Sequence, residues 1–576
     1  MKKVLLLGIL VGLITLLASC GTGGNTSNAF DSSSITNQDF IDGVNRWAEC
    51  DYGEAYKLLQ KAVNDGREKA PESPETAYME IKWGEFLVDE LGKYDEGLEY
   101  ELSAYTTFKK LYGINDYNTL KAAINIAACD IYLDNYETAI SQLQDLYEEV
   151  TDTEPKGILA INIAHSYAQY GDMDNAKKWF DLVNEKYVSG FKNKESIGSY
   201  YNNYGLFLCE IGEGDRAIEA YIKAIDNLPE TNADTSEKLN ARISAYINLA
   251  SAYFDTNDDV KGAETLTDAY NLVEESGNEV MRALCMEEIA RVLLTSRYDN
   301  SLYETAKQYL DKSLDLLIDN VGENHKLVAK NYNLMSKYYQ NTGNNEKAVE
   351  YREKAIEIEK NLLLYGTKSS ATLCFDLADA YFDCQQYSIC IEYVDEGIRI
   401  IEELQGEDSY ETADALALEA WAYCEMKERD KSVHTIEKAI ELCNQHINKG
   451  FPKDSTYAYV MMVAGIVYAN SDASISADSM SYKTGMDCLD EAETVFVSIG
   501  GENSSNLISL YLFRGDLQAG AGETLSARES YKKAYAILKA TGADDDTIAA
   551  AIPERLLHLY NIEAPGVSAE EWMNEW

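Results

Sequence analysis

Four asparagines, Asn125, Asn162, Asn203 and Asn248, recur in successive segments of the chain, each two residues before a small residue. A side-chain amide offers both a donor and an acceptor, so it can pair with a peptide group without reading the side chain beside it. Tyr132, His165, Gln169 and Glu210 fill neighbouring slots. The same amides could instead tie adjacent segments of the protein together, and the two readings stand side by side. Other chemistry is scarce. There is no Gly-rich phosphate loop, no HExxH, no Gly-x-Ser-x-Gly and no paired CxxC. The five histidines (165, 325, 434, 446 and 558) include no i, i+4 pair to chelate a metal, and each is expected at a surface or an edge. With 98 acidic side chains, no catalytic dyad stands out. No metal, cofactor or catalytic residue is expected, and the chain reads as a binding protein and not as an enzyme.

The N-terminus carries a second signal. Lys2 and Lys3 precede an apolar run from Val4 to Leu17, too short to span a membrane. The run ends in Leu17-Ala18-Ser19-Cys20, which resembles a bacterial lipobox, in which the cysteine thiol receives a diacylglycerol. Residues 1–19 then form a signal peptide, Cys20 is the lipidated residue, and residues 20–38, rich in Gly, Ser, Thr and Asn, read as a flexible tether. The expected location is the cell envelope. There the protein would be lipid-anchored on the outer face of the plasma membrane, or on the outer membrane of a diderm, where Gly21 permits sorting. Ten cysteines remain, spread about one per segment at small apolar positions. They read as buried free thiols, with Cys384 and Cys390 the pair to test for a disulfide.

Charge narrows the partners. Fifty basic residues against 98 acidic ones leave a net charge of -48, which repels phosphate backbones and disfavours nucleic acid. A protein or peptide with basic patches suits this surface better. Hydrophobic residues make up 46%, enough for a core, and only 7 prolines interrupt the 576 residues, as long helices require.

The elements that must position the asparagines are legible as a repeat. A bulky residue, a small residue and a second small residue seven further on recur. They are seen in Tyr332, Ser336, Tyr339, Gly343, Ala348, Tyr351 and Ala355, and again in Tyr204, Gly205, Gly212, Ala217, Tyr221 and Ala224. One small residue marks each unit: Ala55, Gly97, Ala139, Ala176, Ala217, Ala263, Ala306, Ala348, Cys390, Ser432, Gly485 and Ala527, with Gly262 an alternative to Ala263. Six of the eleven spacings are 42 residues, which sets a common period. Apolar and small residues recur at three- and four-residue steps, so each unit reads as two amphipathic helices joined at a glycine or a polar residue. Small residues let two antiparallel helices approach where a bulky side chain faces them. Tyr339, Tyr381, Tyr423 and Tyr468 take the bulky slot.

This order resembles the tetratricopeptide repeat, and within it the longer kinesin-light-chain type, which openings such as Gly322 to His325, Gly406 to Ser409 and Gly501 to Ser504 strengthen. HEAT, armadillo and WD40 units have similar periods, but WD40 needs alternating strands and HEAT lacks the two small positions seven apart. The resemblance implies an all-α, right-handed superhelical solenoid of about twelve antiparallel helix pairs over residues 39–543, followed by a C-terminal cap and tail at 544–576. In that family the first helices line a concave groove, and asparagines in the slot of Asn125, Asn162, Asn203 and Asn248, with His165 nearby, bond the backbone of a bound peptide. The family's carboxylate clamp needs Lys or Arg beside them, which this chain lacks.

Residues 470–481 insert between two helices and read as a projecting loop. Thr547 to Tyr560 reads as a capping helix, with Trp572 and Trp576 beyond it. Two other functions are kept open. One is a helical toroid of the carbohydrate-active kind, which would need convergent carboxylates. The other is a ligand-capture lipoprotein serving a transporter, which would ordinarily alternate strands and helices.

Overall fold

The computed structural model describes residues 30–541 other than 31, 50, 134, 192, 229–235, 257, 296–300, 363–365, 473, 502–503 and 505. The signal segment, Cys20, Cys50, the capping helix at 547–560, Trp572 and Trp576 lie outside the described residues. Among those described are twenty-four α-helices and no strand. They form twelve consecutive pairs, odd-numbered helix first. Pairs one to three are α1 (Gln38–Ala48), α2 (Tyr52–Lys69), α3 (Pro74–Asp89), α4 (Tyr94–Tyr112), α5 (Tyr117–Tyr132) and α6 (Tyr136–Glu149). Pairs four to six are α7 (Thr153–Tyr170), α8 (Met173–Leu182), α9 (Lys194–Glu210), α10 (Gly214–Asn227), α11 (Ser236–Asp255) and α12 (Asp259–Ser276). Pairs seven to nine are α13 (Glu279–Thr295), α14 (Ser301–Val321), α15 (Lys326–Asn341), α16 (Asn345–Asn361), α17 (Lys368–Asp383) and α18 (Tyr387–Gln405). Pairs ten to twelve are α19 (Ala413–Glu425), α20 (Arg429–Asn448), α21 (Ser455–Ala469), α22 (Met480–Gly500), α23 (Asn506–Gly520) and α24 (Thr524–Thr541).

Local chemistry sets the helix ends. Asn37, Asp51, Ser73, Asp116, Asp172, Asp454 and Ser479 each accept a backbone N–H of the first turn, and Pro74 opens α3 where a missing N–H costs nothing. The turn inside a pair needs a left-handed residue, seven after the small residue of the first helix in most pairs. Gly171, Gly212, Gly343 and Gly522 supply it at that spacing and Gly92 one residue later, but Gln385 and Lys427 hold the same conformation at φ 60° and 65°.

The repeat markers fall on the second helix of every pair, at its fourth residue in most. Gly262, not Ala263, is the buried one, because a Cβ at 262 would lie 2.8 Å from the Phe254 ring. Small residues meet bulky ones as their spacing implied. A Cβ on Gly205 would stand 2.5 Å from the Tyr221 ring, and Gly515 faces Tyr531 at the same sixteen-residue offset. Tyr339 stacks on Tyr351 and Tyr381 on Tyr393, with ring centroids 5.4 and 5.6 Å apart.

The chain divides into two compact units. Unit one holds the described residues up to Val292 together with Gln308–Asn331 and Glu357–Thr367. Unit two holds Leu293–Lys307, Tyr332–Ile356 and the described residues from Lys368 onward. In unit one the first helices of neighbouring pairs meet side by side, α3 with α5, α5 with α7 and α9 with α11. In unit two the same holds for α17 with α19, α19 with α21 and α21 with α23. A core of Leu159, Ile161, Phe180, Tyr200, Phe207 and Tyr221 runs through the middle of unit one, and one of Leu416, Ile436, Val463, Leu489, Leu510 and Tyr531 through unit two.

Three expectations need correction. The segment read as a tether to residue 38 is anchored from Phe30 onward. Phe30 packs against Tyr78 and Phe108, and the N–H groups of Thr36 and Asn37 donate to Glu75. Phe30 and Ile35 are the apolar residues in that polar run, and burial of such residues outweighs the polar composition. The insertion at 470–481 folds back, with Ile475 and Ala477 packed on the core of unit two and Ile475 lying against Gly520. His165, expected at an edge, is buried. None of the nine described cysteines, Cys384 and Cys390 among them, is in a disulfide.

Candidate functional site

The four asparagines share a slot but not a fate. Asn125, on α5, donates its amide to Glu101 (3.0 Å) and Glu85 (3.4 Å). Those carboxylates belong to a buried charge network. Glu85 is fully desolvated, which alone would raise its pKa, but the Lys82 and Lys121 ammonium groups outweigh burial and hold it at about 2. Burial pushes Glu101 well above the carboxylate range, and its Oε2 has no partner within the protein. Burial, with Glu85 and Glu90 nearby, raises Asp89 to about 7. Gly84 makes room for the Glu101 carboxylate, whose Oε1 would lie 2.7 Å from any Cβ there. Asn248, on α11, donates to Asn202 Oδ1 at 3.0 Å and so ties α11 to α9.

Asn162 and Asn203 differ. Both are buried. Asn162, on α7, donates to the Ile158 carbonyl of its own helix at 2.8 Å and leaves Oδ1 unpartnered. Asn203, on α9, leaves Nδ2 unpartnered. His165 stands one turn beyond Asn162, 2% exposed, edge-on to Phe180 with centroids 5.1 Å apart. Burial lowers its pKa to about 4, so it is neutral at physiological pH, and Nε2 finds no partner. Gln169, one further turn along, has an unpartnered Nε2. Asn162, His165 and Gln169 stand at i, i+3 and i+7, which places them on one face of α7. An unpaired buried polar atom costs about 1–3 kcal/mol, so a row of them asks for a partner.

Unit two treats its inner helices differently. The slot of the asparagines is occupied by Leu334, Asp376, Leu418, Val463 and Phe513. Phe382, Trp421 and Phe513 form a line of rings with centroids 4.8 and 5.0 Å apart, joining α17, α19 and α23. Asp379 and Asp383 share the Gln340 amide, and burial raises both above the ordinary range. The sequence reading missed the buried network of Glu85, Lys121 and Glu101. Its one signal is charged residues inside otherwise apolar helix faces. Among the described residues no cluster suits a metal ion, and no helix is long and apolar enough to cross a membrane.

Comparison with known proteins finds one repeat that matches a family model. Residues 329–362, across α15 and α16, match the tetratricopeptide repeat model. No curated protein matches the chain. Among solved structures, the chain is similar to yeast Tom70, at 14% identity and a TM-score of 0.39, over 93% of this chain and 98% of that one. It is also similar to a Rap protein complexed with Competence and Sporulation Factor, at 12% identity and a TM-score of 0.42, over 73% of this chain and 98% of that one. A third is a Podosopora anserina putative kinesin light chain with TPR-like repeats, at 17% identity and a TM-score of 0.32, over 35% of this chain and 96% of that one. At these levels the fold rests on the chain's own helices.

Proposed function

We propose that this protein is an extracytoplasmic lipoprotein, anchored through a lipid on Cys20, that binds an extended protein segment along the first helices of unit one. The observation that carries the reading is the row of unpartnered polar atoms on Asn162, His165, Gln169 and Asn203. A peptide backbone supplies one donor and one acceptor per residue, which is the complement such a row lacks; because Asn162, His165 and Asn203 are buried, the segment reaches them only as the side chains over them part. Asn125 and Asn248 flank it, and their amides can trade a side-chain partner for a peptide group. The formal charge of -48 favours a basic segment and speeds its encounter. The anchor at Cys20 would hold the repeat at the outer face of the plasma membrane, or at the outer membrane of a diderm.

Capture from native envelopes by the lipidated protein tests the reading. The quadruple variant Asn125→Ala, Asn162→Ala, Asn203→Ala and Asn248→Ala is expected to lose at least tenfold in affinity for the captured partner. Unchanged affinity in a folded variant removes the groove. Cys20→Ser is expected to move the protein from the membrane to the soluble fraction, and retention there would remove the anchor.

A further inference from the structure

In an array of helix pairs, contacts ordinarily join each pair to the next. Unit one has a contact that does not. The ammonium of Lys326, at the start of α15, lies 2.7 Å from Glu90 Oε2 at the end of α3, 236 residues away in the chain. The other oxygen, Oε1, accepts the Trp47 indole N–H at 3.0 Å. Lys326 also stands 5.4 Å over the Tyr52 ring. Leu362, just past the end of α16, packs against the cluster of Phe40, Tyr52, Leu59, Trp83 and Phe86. The start of α15 and the end of α16 lie at the same end of an antiparallel pair, so these contacts form one seam. Through it the segments Gln308–Asn331 and Glu357–Thr367 of unit one meet its first two pairs, and the chain of unit one returns to its own beginning.

We propose that this seam is a latch. Glu90 is its catch, Lys326 and Leu362 are the arriving side, and parting them opens unit one. The seam has neither of the devices that hold consecutive pairs together. No short turn links its two sides, and among the described residues Leu362 is the apolar side chain it brings to the cluster, where neighbouring pairs share a continuous core. Its ion pair is 40% exposed on the lysine side and 13% on the glutamate side, so salt screens it. The contact with the least buried apolar surface opens first. The latch stands whether or not the amide row binds a peptide.

Zero-length carbodiimide cross-linking of the full chain, followed by mass spectrometry, reads the contact directly. A Glu90–Lys326 linked peptide is expected at low salt and is expected to fall several-fold in 1 M NaCl. Hydrogen exchange reads the opening. In Glu90→Lys, peptides covering 86–91 and 357–362 are expected to exchange several-fold faster than in wild type. The charge-swapped pair Glu90→Lys with Lys326→Glu is expected to restore the wild-type rate. Absence of the linked peptide in the wild-type protein overturns the seam. Unchanged exchange in Glu90→Lys, or failure of the swapped pair to restore it, overturns the latch.

Discussion

The same repeat slot, two residues before the small residue of a first helix, is filled with amides in four successive pairs of unit one and mostly with apolar side chains in unit two. In unit one, Asn162 and Asn203 are sealed from solvent with polar atoms unmet. In unit two, Phe513 reaches Trp421, and Trp421 reaches Phe382, so that inner side is filled by the protein's own rings. One backbone scheme thus serves two ends. Where side chains complete their own packing, the repeat gains stability. Where they leave hydrogen bonds unmade, stability is given up, and the proposed binding of an extended segment would supply the missing partners.

The contrast can be broken at its tightest points. In unit two, Gly485 lies with the Gly465 carbonyl 2.6 Å from its would-be Cβ, and a backbone atom cannot swing aside. In unit one, Gly205 meets the Tyr221 ring, which can tilt. Gly485→Ala is expected to cost about 3 kcal/mol in urea denaturation and Gly205→Ala roughly half of that. Equal costs would mean that the two units tolerate crowding alike.

Next in size is the exchange of roles between the two linings. Trp421→Ala is expected to cost about 2–3 kcal/mol, because it empties the ring line of unit two. Asn203→Leu is expected to be neutral or to gain up to about 1 kcal/mol, because it removes an unmet donor from a buried site. If Asn203→Leu destabilises by more than about 1 kcal/mol, the amide is a structural tie, and unit one is packed on the same terms as unit two.

Acid acts on both units. Burial raises Asp89 and Glu287 in unit one to about 7, with Lys330 only partly opposing it at Glu287, and burial raises Glu419 in unit two to about 7. A carboxyl whose folded pKa exceeds its unfolded value contributes stability that is full below the unfolded value and lost as pH rises through the folded one. Glu85 and Glu288 run the other way. Burial opposes their charge but lysine and arginine neighbours hold them at about 2, so their contribution is lost only as pH falls below about 4.5. The melting temperature is therefore expected to rise by a few degrees from pH 8 to about pH 5 and to fall again below pH 4. Glu287→Gln should flatten the upper part of that curve. A melting temperature that drops steadily from pH 8 to 5 would contradict these assignments.

The smallest expected effect concerns the turns. Gln385 and Lys427, both in unit two, stand where Gly171 and Gly212 stand in unit one. A side chain in the left-handed region costs about 1 kcal/mol, so Gln385→Gly and Lys427→Gly are each expected to stabilise by about 0.5 kcal/mol after the added freedom of the unfolded chain is counted. Gly212→Ala should destabilise by about 1 kcal/mol. Differential calorimetry of the three variants decides the ordering.

Much of this architecture was legible in the residues. Ala55, Gly97, Ala139 and Ala527 lie where two helices approach most closely, and no larger side chain fits such a crossing, so their spacing reports the helix register directly. The candidate site was legible only in part. The slot of Asn125, Asn162, Asn203 and Asn248 could be picked out by periodicity, but not which amides would find partners. That depended on Glu101 arriving from α4 and Asn202 from α9. Phe30 and Ile475 misled because each is one of few apolar residues in a polar run, and such a run reads as solvent-exposed until a nearby core offers the residue shelter.

What the sequence determined by itself was the helix pair, its period and the faces that must meet, because those follow from contacts between residues close along the chain, and such contacts repeat. What only the tertiary structure decided was the division into two units, the pairing of Glu90 with Lys326 and the isolation of the polar atoms on Asn162, His165 and Asn203. These depend on how small rotations between successive pairs add up over hundreds of residues. No local pattern of side chains carries that sum.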